Sequence, residues 1–217
     1  MLKKFLQNAR MPKGLGGSLM LLFMNLGHSS LSGWGLKGVA IKNGAAVLDV
    51  GCGGGKIIGL IHKKTPNGIV CGIDHAPLSV EKSRKRNHEA ILNEKCEIVC
   101  GTVSNLPYPD RAFDVVTAFE SVYFWPNLAR DLAEVCRVMK PGGQLLICNA
   151  FMHRDRQTKR RKKTARLMGL KLYPKKDFEQ ALALAGFKNV RTVVRKNKWL
   201  RISAEKSGDS SQPGDDF

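Results

Sequence analysis

Val47-Leu48-Asp49-Val50-Gly51-Cys52-Gly53-Gly54-Gly55-Lys56 passes from an apolar run through an acid into glycines at alternate positions. This is how a buried strand hands over to a helix around a nucleotide-like ligand. Glycine has no Cβ and tolerates φ > 0, so main-chain N–H groups in such a turn come close to the ligand. The neighbouring acid suits a ligand that offers a positive group or hydroxyls. A dinucleotide fingerprint needs Gly-x-Gly-x-x-Gly, but the third position is Lys56 counting from Gly51 and Ile58 counting from Gly53. The pattern present is Asp-x-Gly-x-Gly-x-Gly, on Asp49, Gly51, Gly53 and Gly55. A structural turn also uses glycines, so the rest of the chain has to decide.

Outward from this loop, residues 45–50 read as strand 1 and residues 56–64 as the helix it feeds. Pro66-Asn67-Gly68 makes a turn. Ile69-Val70-Cys71-Gly72-Ile73-Asp74 is a second buried strand that again ends in an acid. A charged helix over about residues 79–94 precedes a short strand at 97–100, and Leu106-Pro107-Tyr108-Pro109-Asp110 turns into a fourth strand at 113–119. Leu128, Leu132, Val135, Cys136 and Met139 share one face at helical spacing. Pro141-Gly142-Gly143 is expected to stop that helix and form a turn before strand 5 at 144–150. Phe178, Ala181, Leu182 and Ala185 mark a last helix stopped by Gly186, and residues 190–195 and 200–203 form a closing pair of strands.

This alternation predicts an α/β fold: a doubly wound, mostly parallel seven-stranded sheet with helices on both faces and the strand nearest the C terminus antiparallel. Ligands of such sheets bind beyond the carboxyl ends of the strands, near the switch point. Asp49 with its glycine loop, Asp74, and Phe119-Glu120 all end strands and are expected to line one crevice.

At 217 residues the chain suits one domain, and its 43% hydrophobic content excludes disorder throughout. The expected division is an N-terminal helical segment (1–44) covering the site, a main domain (45–206) with a basic insertion around 153–176, and a disordered tail (207–217). The longest apolar run, residues 19–24, is cut by Asn25 and flanked by glycines, so no membrane span is expected. No Ala-x-Ala-type cleavage site follows it, which makes the cytoplasm the expected compartment. Of six cysteines, Cys71, Cys100, Cys136 and Cys148 fall inside apolar patterns as small hydrophobes. Cys96 and Cys100 with a histidine would be the nearest approach to a zinc set, but no Cys-x-x-Cys pair exists, and no metal site is assigned.

The net charge is +18, of which residues 154–176 carry +10. Such a field favours anionic partners: nucleic acid, phosphorylated metabolites or an anionic membrane surface. A solvated basic loop accounts for it equally well.

Four blocks, residues 47–56, 72–74, 106–117 and 137–147, closely resemble the motifs of class I S-adenosylmethionine-dependent methyltransferases, in the expected order. Leu-Pro-Tyr-Pro-Asp-x-x-Phe-Asp-Val-Val and Arg-Val-Met-Lys-Pro-Gly-Gly look like the branch that includes quinone-biosynthesis and many small-molecule methyltransferases. The resemblance covers roughly residues 45–203. It implies S-adenosyl-L-methionine as cofactor and S-adenosyl-L-homocysteine as product. The backbone of Gly51, Cys52, Gly53 and Gly55 would meet the methionine part and ribose, with Asp49 holding the loop or acting through water on the amino group. Asp74 would accept both ribose hydroxyls; otherwise it is a turn or helix-capping acid. Relatives carry an acid after strand 3 for the adenine amino group, whereas this chain has Gly101-Thr102-Val103-Ser104. Thr102, the Val103 N–H and the Ser104 side chain are the candidates there, with His75 stacking nearby and Phe119 closing the site.

A sulfonium methyl is already electrophilic, so alignment and desolvation carry much of the rate, and a base is needed only when the acceptor loses a proton. Glu120, Tyr123 and His28 are the candidate catalytic residues. The alternative for Tyr123-Phe124-Trp125 is a local packing cluster. A small-molecule acceptor, with an anionic one suited to the basic stretch, is the main reading. RNA is the rival partner, through residues 154–176. Against it, the chain lacks Asn-Pro-Pro-Tyr or Asp-Pro-Pro-Tyr after strand 4 and a Pro-Cys nucleophile. A non-catalytic S-adenosylmethionine-binding protein is a third class. A nicotinamide dehydrogenase conflicts with the glycine spacing. Nothing in the sequence speaks to oligomeric state.

Overall fold

A computed structural model describes residues 29–150, 163, 165–195 and 199–208. His28, residues 153–162 and 164 of the basic stretch, and residues 209–217 of the tail lie outside the described residues. The described residues begin with helix α1 (Ser29–Gly35) and a 3-10 turn (Leu36–Gly38), followed by β1 (Ala46–Val50), α2 (Lys56–His62) and β2 (Ile69–Asp74). Helices α3 (Pro77–Arg86) and α4 (His88–Leu92) precede β3 (Cys96–Cys100) and β4 (Phe113–Phe119). A 3-10 turn (Val122–Phe124), α5 (Leu128–Val138), β5 (Met139–Asn149), α6 (Lys175–Leu184), β6 (Phe187–Val194) and β7 (Leu200–Lys206) complete it.

The seven strands form one sheet in the order β3-β2-β1-β4-β5-β7-β6. All neighbours pair in parallel except at β7, which runs antiparallel to both β5 and β6. The expected fold class and the lone reversed strand are therefore observed. Strand order reverses between β1 and β4, and a crevice opens at such a point because the connections leave in opposite directions.

Both faces of the sheet are covered, which explains why its strands read as nearly unbroken apolar runs. Leu48, Val50, Val116 and Ile147 pack toward α5 and α6 through Leu132, Val135, Phe178 and Leu182. Val47, Val70, Val115 and Leu146 pack the other way, against Ile58 and Ile61 of α2 and Val80 of α3. Burying such a side chain completely contributes roughly 1.5–3 kcal/mol.

Several boundaries differ from the sequence reading, each for a local reason. The helix expected over 79–94 breaks at Asn87, whose side chain donates to the Gly55 and Ser83 carbonyls. Pro141-Gly142-Gly143 does not separate helix from strand, because β5 already begins at Met139. The three residues form an irregularity in the ladder, where the pairing steps from Phe113↔Met139 to Val115↔Gln144 and Gly142 adopts φ 73°. Cys100, grouped with the buried thiols, is exposed because it ends the edge strand β3; Cys71, Cys136 and Cys148 are buried as expected.

Two of the recognised blocks are joined by Arg137. Its guanidinium donates to Glu134, to Asp110 and to the Leu106 and Tyr108 carbonyls, at 2.7–3.0 Å. Glu134 in turn accepts from the Leu106 N–H at 2.7 Å. The turn before β4 is thus fixed onto the end of α5. Replacing Arg137 by Ala strands two backbone carbonyls, and hydrogen bonds to charged groups contribute roughly 1.5–3 kcal/mol each. Arg137→Ala is therefore expected to lower stability by about 2–3 kcal/mol in urea unfolding. A loss under about 0.5 kcal/mol, the size of an ordinary surface change, would show that the guanidinium does not hold the turn.

Candidate functional site

A cleft of about 240 Å³ lies at the carboxyl ends of β1, β2 and β4. Val50, Gly51 and Gly53 form one wall, Ile73, Asp74 and His75 the next, and Gly101, Thr102 and Val103 a third. Phe119, Glu120 and Ser121 close the floor, with Phe124, Trp125 and Pro126 beside them. The three strand-ending groups expected to converge contribute Gly51, Gly53, Asp74, Phe119 and Glu120 to this one cleft.

Asp74 is the hinge of the site. Its Oδ2 accepts from the Gly53 N–H and its Oδ1 from the Ala76 N–H, both at 2.9 Å. One carboxylate therefore ties the loop after β1 to the start of α3, and each oxygen keeps a lone pair for a further donor. The turn role and the ligand role compete only for lone pairs, and four positions serve both. His75 lies beside it, its Nδ1 3.7 Å from Oδ1.

The glycines have separate reasons. At Gly51, with φ 79°, a Cβ would stand 2.4 Å from the Ser121 Cβ, and the Ser121 hydroxyl donates to the Val50 carbonyl at 2.7 Å. At Gly53 a Cβ would meet nothing within 4 Å, so the loop there faces open cleft.

Glu120 is buried, holds φ 55°, and receives the Tyr123 hydroxyl on Oε2 at 2.8 Å and the Ala150 N–H on Oε1. Burial pushes its carboxyl up to about 7, and the two donors oppose that shift. Tyr123 stands behind Glu120; burial and the adjacent carboxylate push its phenol well up.

Not every candidate reaches the cleft. Asp49 lies behind the glycine loop, 1% exposed, its Oδ1 accepting from the Thr117 hydroxyl at 2.6 Å. Its Oδ2 has no partner among the described residues. Burial, reinforced by the charge of Asp74 and opposed by Thr117, pushes the Asp49 carboxyl up to about 7. Cys52 turns its thiol toward Ser83, and Gly55 is enclosed by Ser83 and Asn87. Ser104 gives its hydroxyl to Asp131 at 2.7 Å, which removes its side chain from the expected adenine wall. Thr102 and Val103 do line that wall, and His28 lies outside the described residues. Ser121, Phe124 and Trp125, in the segment after β4, also line the cleft, as do Ile73, Ser79 and Pro126, which were not singled out as site residues. Their position after β2 and β4 was the available signal. No cluster of His, Cys, Asp and Glu suited to a metal occurs among the described residues.

The methyltransferase-domain family Methyltransf_11 matches residues 48–147. The chain is 37% identical over 102 residues to 24-methylenesterol C-methyltransferase 2 of Oryza sativa subsp. japonica, covering 47% of this chain and 28% of that one. It is 35% identical over 111 residues to the demethylmenaquinone methyltransferase of Listeria welshimeri, covering 51% and 47%. The chain thus spans less than half the length of these curated relatives. Among solved structures, a SAM dependent methyltransferase from Aquifex aeolicus superposes with TM-score 0.65 at 23% identity over 80% of this chain and 88% of that one. At that identity the likeness is one of fold.

The raised Asp49 carboxyl has a consequence for stability. The folded chain keeps a proton that the unfolded chain releases above the ordinary value of 3.8. The contribution is complete below that value and is lost as pH rises through about 7. Asp49→Asn fixes the neutral form, so its stability relative to the parent chain should climb between pH 4 and 7, roughly the span of the shift. A difference that stays constant across this range in urea unfolding would mean that Asp49 titrates normally.

Proposed function

We propose, from the match of residues 48–147 to the methyltransferase-domain family, that the chain transfers a methyl group from S-adenosyl-L-methionine to a small-molecule acceptor. The observation that carries this reading is the convergence of Gly53, Asp74 and Glu120 on one cleft at the switch point of the sheet. The cleft fits such a cofactor on three counts. The loop is open at Gly53, Asp74 retains acceptor positions toward the cleft, and Val103 presents an apolar wall beside Thr102. In that arrangement Asp74 takes the ribose hydroxyls, the wall at 101–103 takes the adenine, and Gly51 to Gly53 follow the methionine part.

The cofactor supplies the electrophile, a methyl group on a sulfonium. The protein aligns the acceptor and excludes water. Phe119, Phe124, Trp125 and Pro126 make the wall on the acceptor side apolar. Glu120 is the group in that wall able to take a proton from an acceptor O–H or N–H. Tyr123 and the Ala150 N–H hold its carboxylate in place, and a carboxyl near 7 is matched to proton transfer at neutral pH. Asp49 acts from behind the loop, by positioning Thr117 and the chain at Gly51.

The RNA alternative has less support. The part of the basic stretch that is described includes Lys171, whose ammonium is used on the Pro126 carbonyl at 2.7 Å, and Lys175, paired with Glu179. Six free cysteines suit a reducing compartment, so we assign the cytoplasm. No helix among the described residues is long and apolar enough to cross a membrane.

Calorimetry should find S-adenosyl-L-methionine or S-adenosyl-L-homocysteine bound with a Kd in roughly the micromolar range, about −8 kcal/mol, and no binding of NAD. Asp74→Asn keeps the size of the side chain and loses one acceptor and the charge, so affinity should fall on the order of tenfold. Unaltered affinity with an intact fold would remove Asp74 from the site. For an acceptor that must lose a proton, kcat should rise with pH through about 7 as Glu120 ionises, and Glu120→Gln should flatten that rise. An unchanged profile in Glu120→Gln would assign the base elsewhere.

A further inference from the structure

The β6–β7 end of the sheet carries a surface that methyl transfer does not use. Because β7 is antiparallel to both neighbours, β6 runs with β5, and Val194 pairs with Leu200, which pairs with Asn149. The Val194–Leu200 end of this strand pair therefore lies at the same edge of the sheet as the cleft. Val193 and Val194 are 41% and 46% exposed there, with Arg195 exposed beside them. Arg191, Arg195 and Arg201 are the cations on the described part of this pair of strands near that end.

The aromatic and basic side chains at this end are interleaved. The Arg201 guanidinium stands 4.9 Å from the centre of the Trp34 ring and donates to the Trp34 carbonyl at 3.0 Å. Trp34 meets Trp199 at 6.1 Å, and Arg195 lies 5.4 Å from the Trp199 ring. Trp34 belongs to α1, whose Gly35 sits so close to Phe119 that a Cβ would approach its ring to 2.5 Å. Phe119 lines the cleft. A continuous path thus joins the cleft floor, α1, the tryptophan pair and Arg195.

We propose that this hairpin end, with Trp34 of α1, docks the protein on an anionic lipid surface, with the cleft opening beside the membrane. Half-buried tryptophans flanked by cations, with exposed aliphatic side chains, suit the headgroup level of a bilayer. Each Lys or Arg near an anionic leaflet adds roughly 1 kcal/mol of attraction, about a fivefold gain in affinity. The net charge of +18 supplies long-range attraction of the same sign. Nucleic acid is the weaker match. Single strands stack bases on open aromatic faces, whereas both tryptophans here already hold a guanidinium, and the side chains left exposed are valines. The proposal does not depend on methyl transfer, because it concerns a surface outside the cleft.

Flotation of the full chain with phosphatidylcholine vesicles, with and without ~30 mol% phosphatidylserine, tests it. Binding is expected to the anionic vesicles and not to pure phosphatidylcholine. Tryptophan emission should shift to the blue and be quenched by brominated lipid. Arg195→Glu, and separately the double variant Val193→Ser, Val194→Ser, should each weaken vesicle binding on the order of tenfold with unchanged thermal unfolding. Lys85→Glu makes the same charge change on α3, beside β3 at the opposite edge of the sheet. It should cost no more than about twofold, the long-range share of one charge. Equal losses in Lys85→Glu and Arg195→Glu would reduce the effect to net charge and overturn the proposal. Failure to bind the anionic vesicles would overturn it too. So would single-stranded RNA that displaces the protein from vesicles and depends on Arg195 while vesicle binding does not.

Discussion

The site depends on one carboxylate holding two loops that belong to different strands. Asp74 accepts from Gly53 after β1 and from Ala76 before α3, and without it neither backbone amide has a charged acceptor. In a parallel sheet the strand ends leave such groups unpaired, and they must be satisfied by side chains, water or a ligand. A carboxylate meets two donors and still has capacity left. The same atoms that fix the loop thus keep acceptor capacity for a hydroxyl-bearing ligand, which is the role proposed for them.

Around that hinge, polar side chains act as staples between segments distant in sequence. Arg137 joins the turn at 106–110 to α5, Asn87 joins the break between α3 and α4 to Gly55, and Asp131 joins the start of α5 to Ser104. Asp131 is fully buried and accepts from the Asn127 N–H while the Asn127 side chain caps Arg130. Of these side chains Arg137 belongs to a recognised block, and like the others it orients a loop rather than touching the cleft.

Two buried carboxylates remain, and the environment assigns them different work. Asp49 has one donor, a neighbouring charge in Asp74 and no opening to the cleft, an arrangement that favours the neutral form and a positioning role. Glu120 has two donors and lines the cleft, so its proton can be exchanged with a bound molecule. Burial raises both, and access separates them. The backbone at Glu120, with φ 55°, is a conformation that L residues seldom take, and it turns the carboxylate back over the end of β5.

Local pattern determined the strand–helix alternation, the glycine loop and the acids at the ends of β1 and β2, because apolar periodicity and glycine chemistry act within a few residues. It also determined that Asp74 and Glu120 would line one cleft, since strands of a parallel sheet end at one edge. The rest followed from contacts between distant segments. Ser104 looked like a cleft residue until Asp131, 27 positions away, took its hydroxyl, and of the two roles open to Asp49, holding the loop or acting on a ligand through water, burial behind the loop favours the first. Met139 completed a helical face in sequence, yet it starts β5, because pairing with Phe113 offers its backbone a ladder that a last helical turn does not. The tryptophan–arginine stack joins residues 34 and 201, which no periodicity connects. Side-chain partners of this kind are chosen by packing, and packing exists only once the sheet has formed.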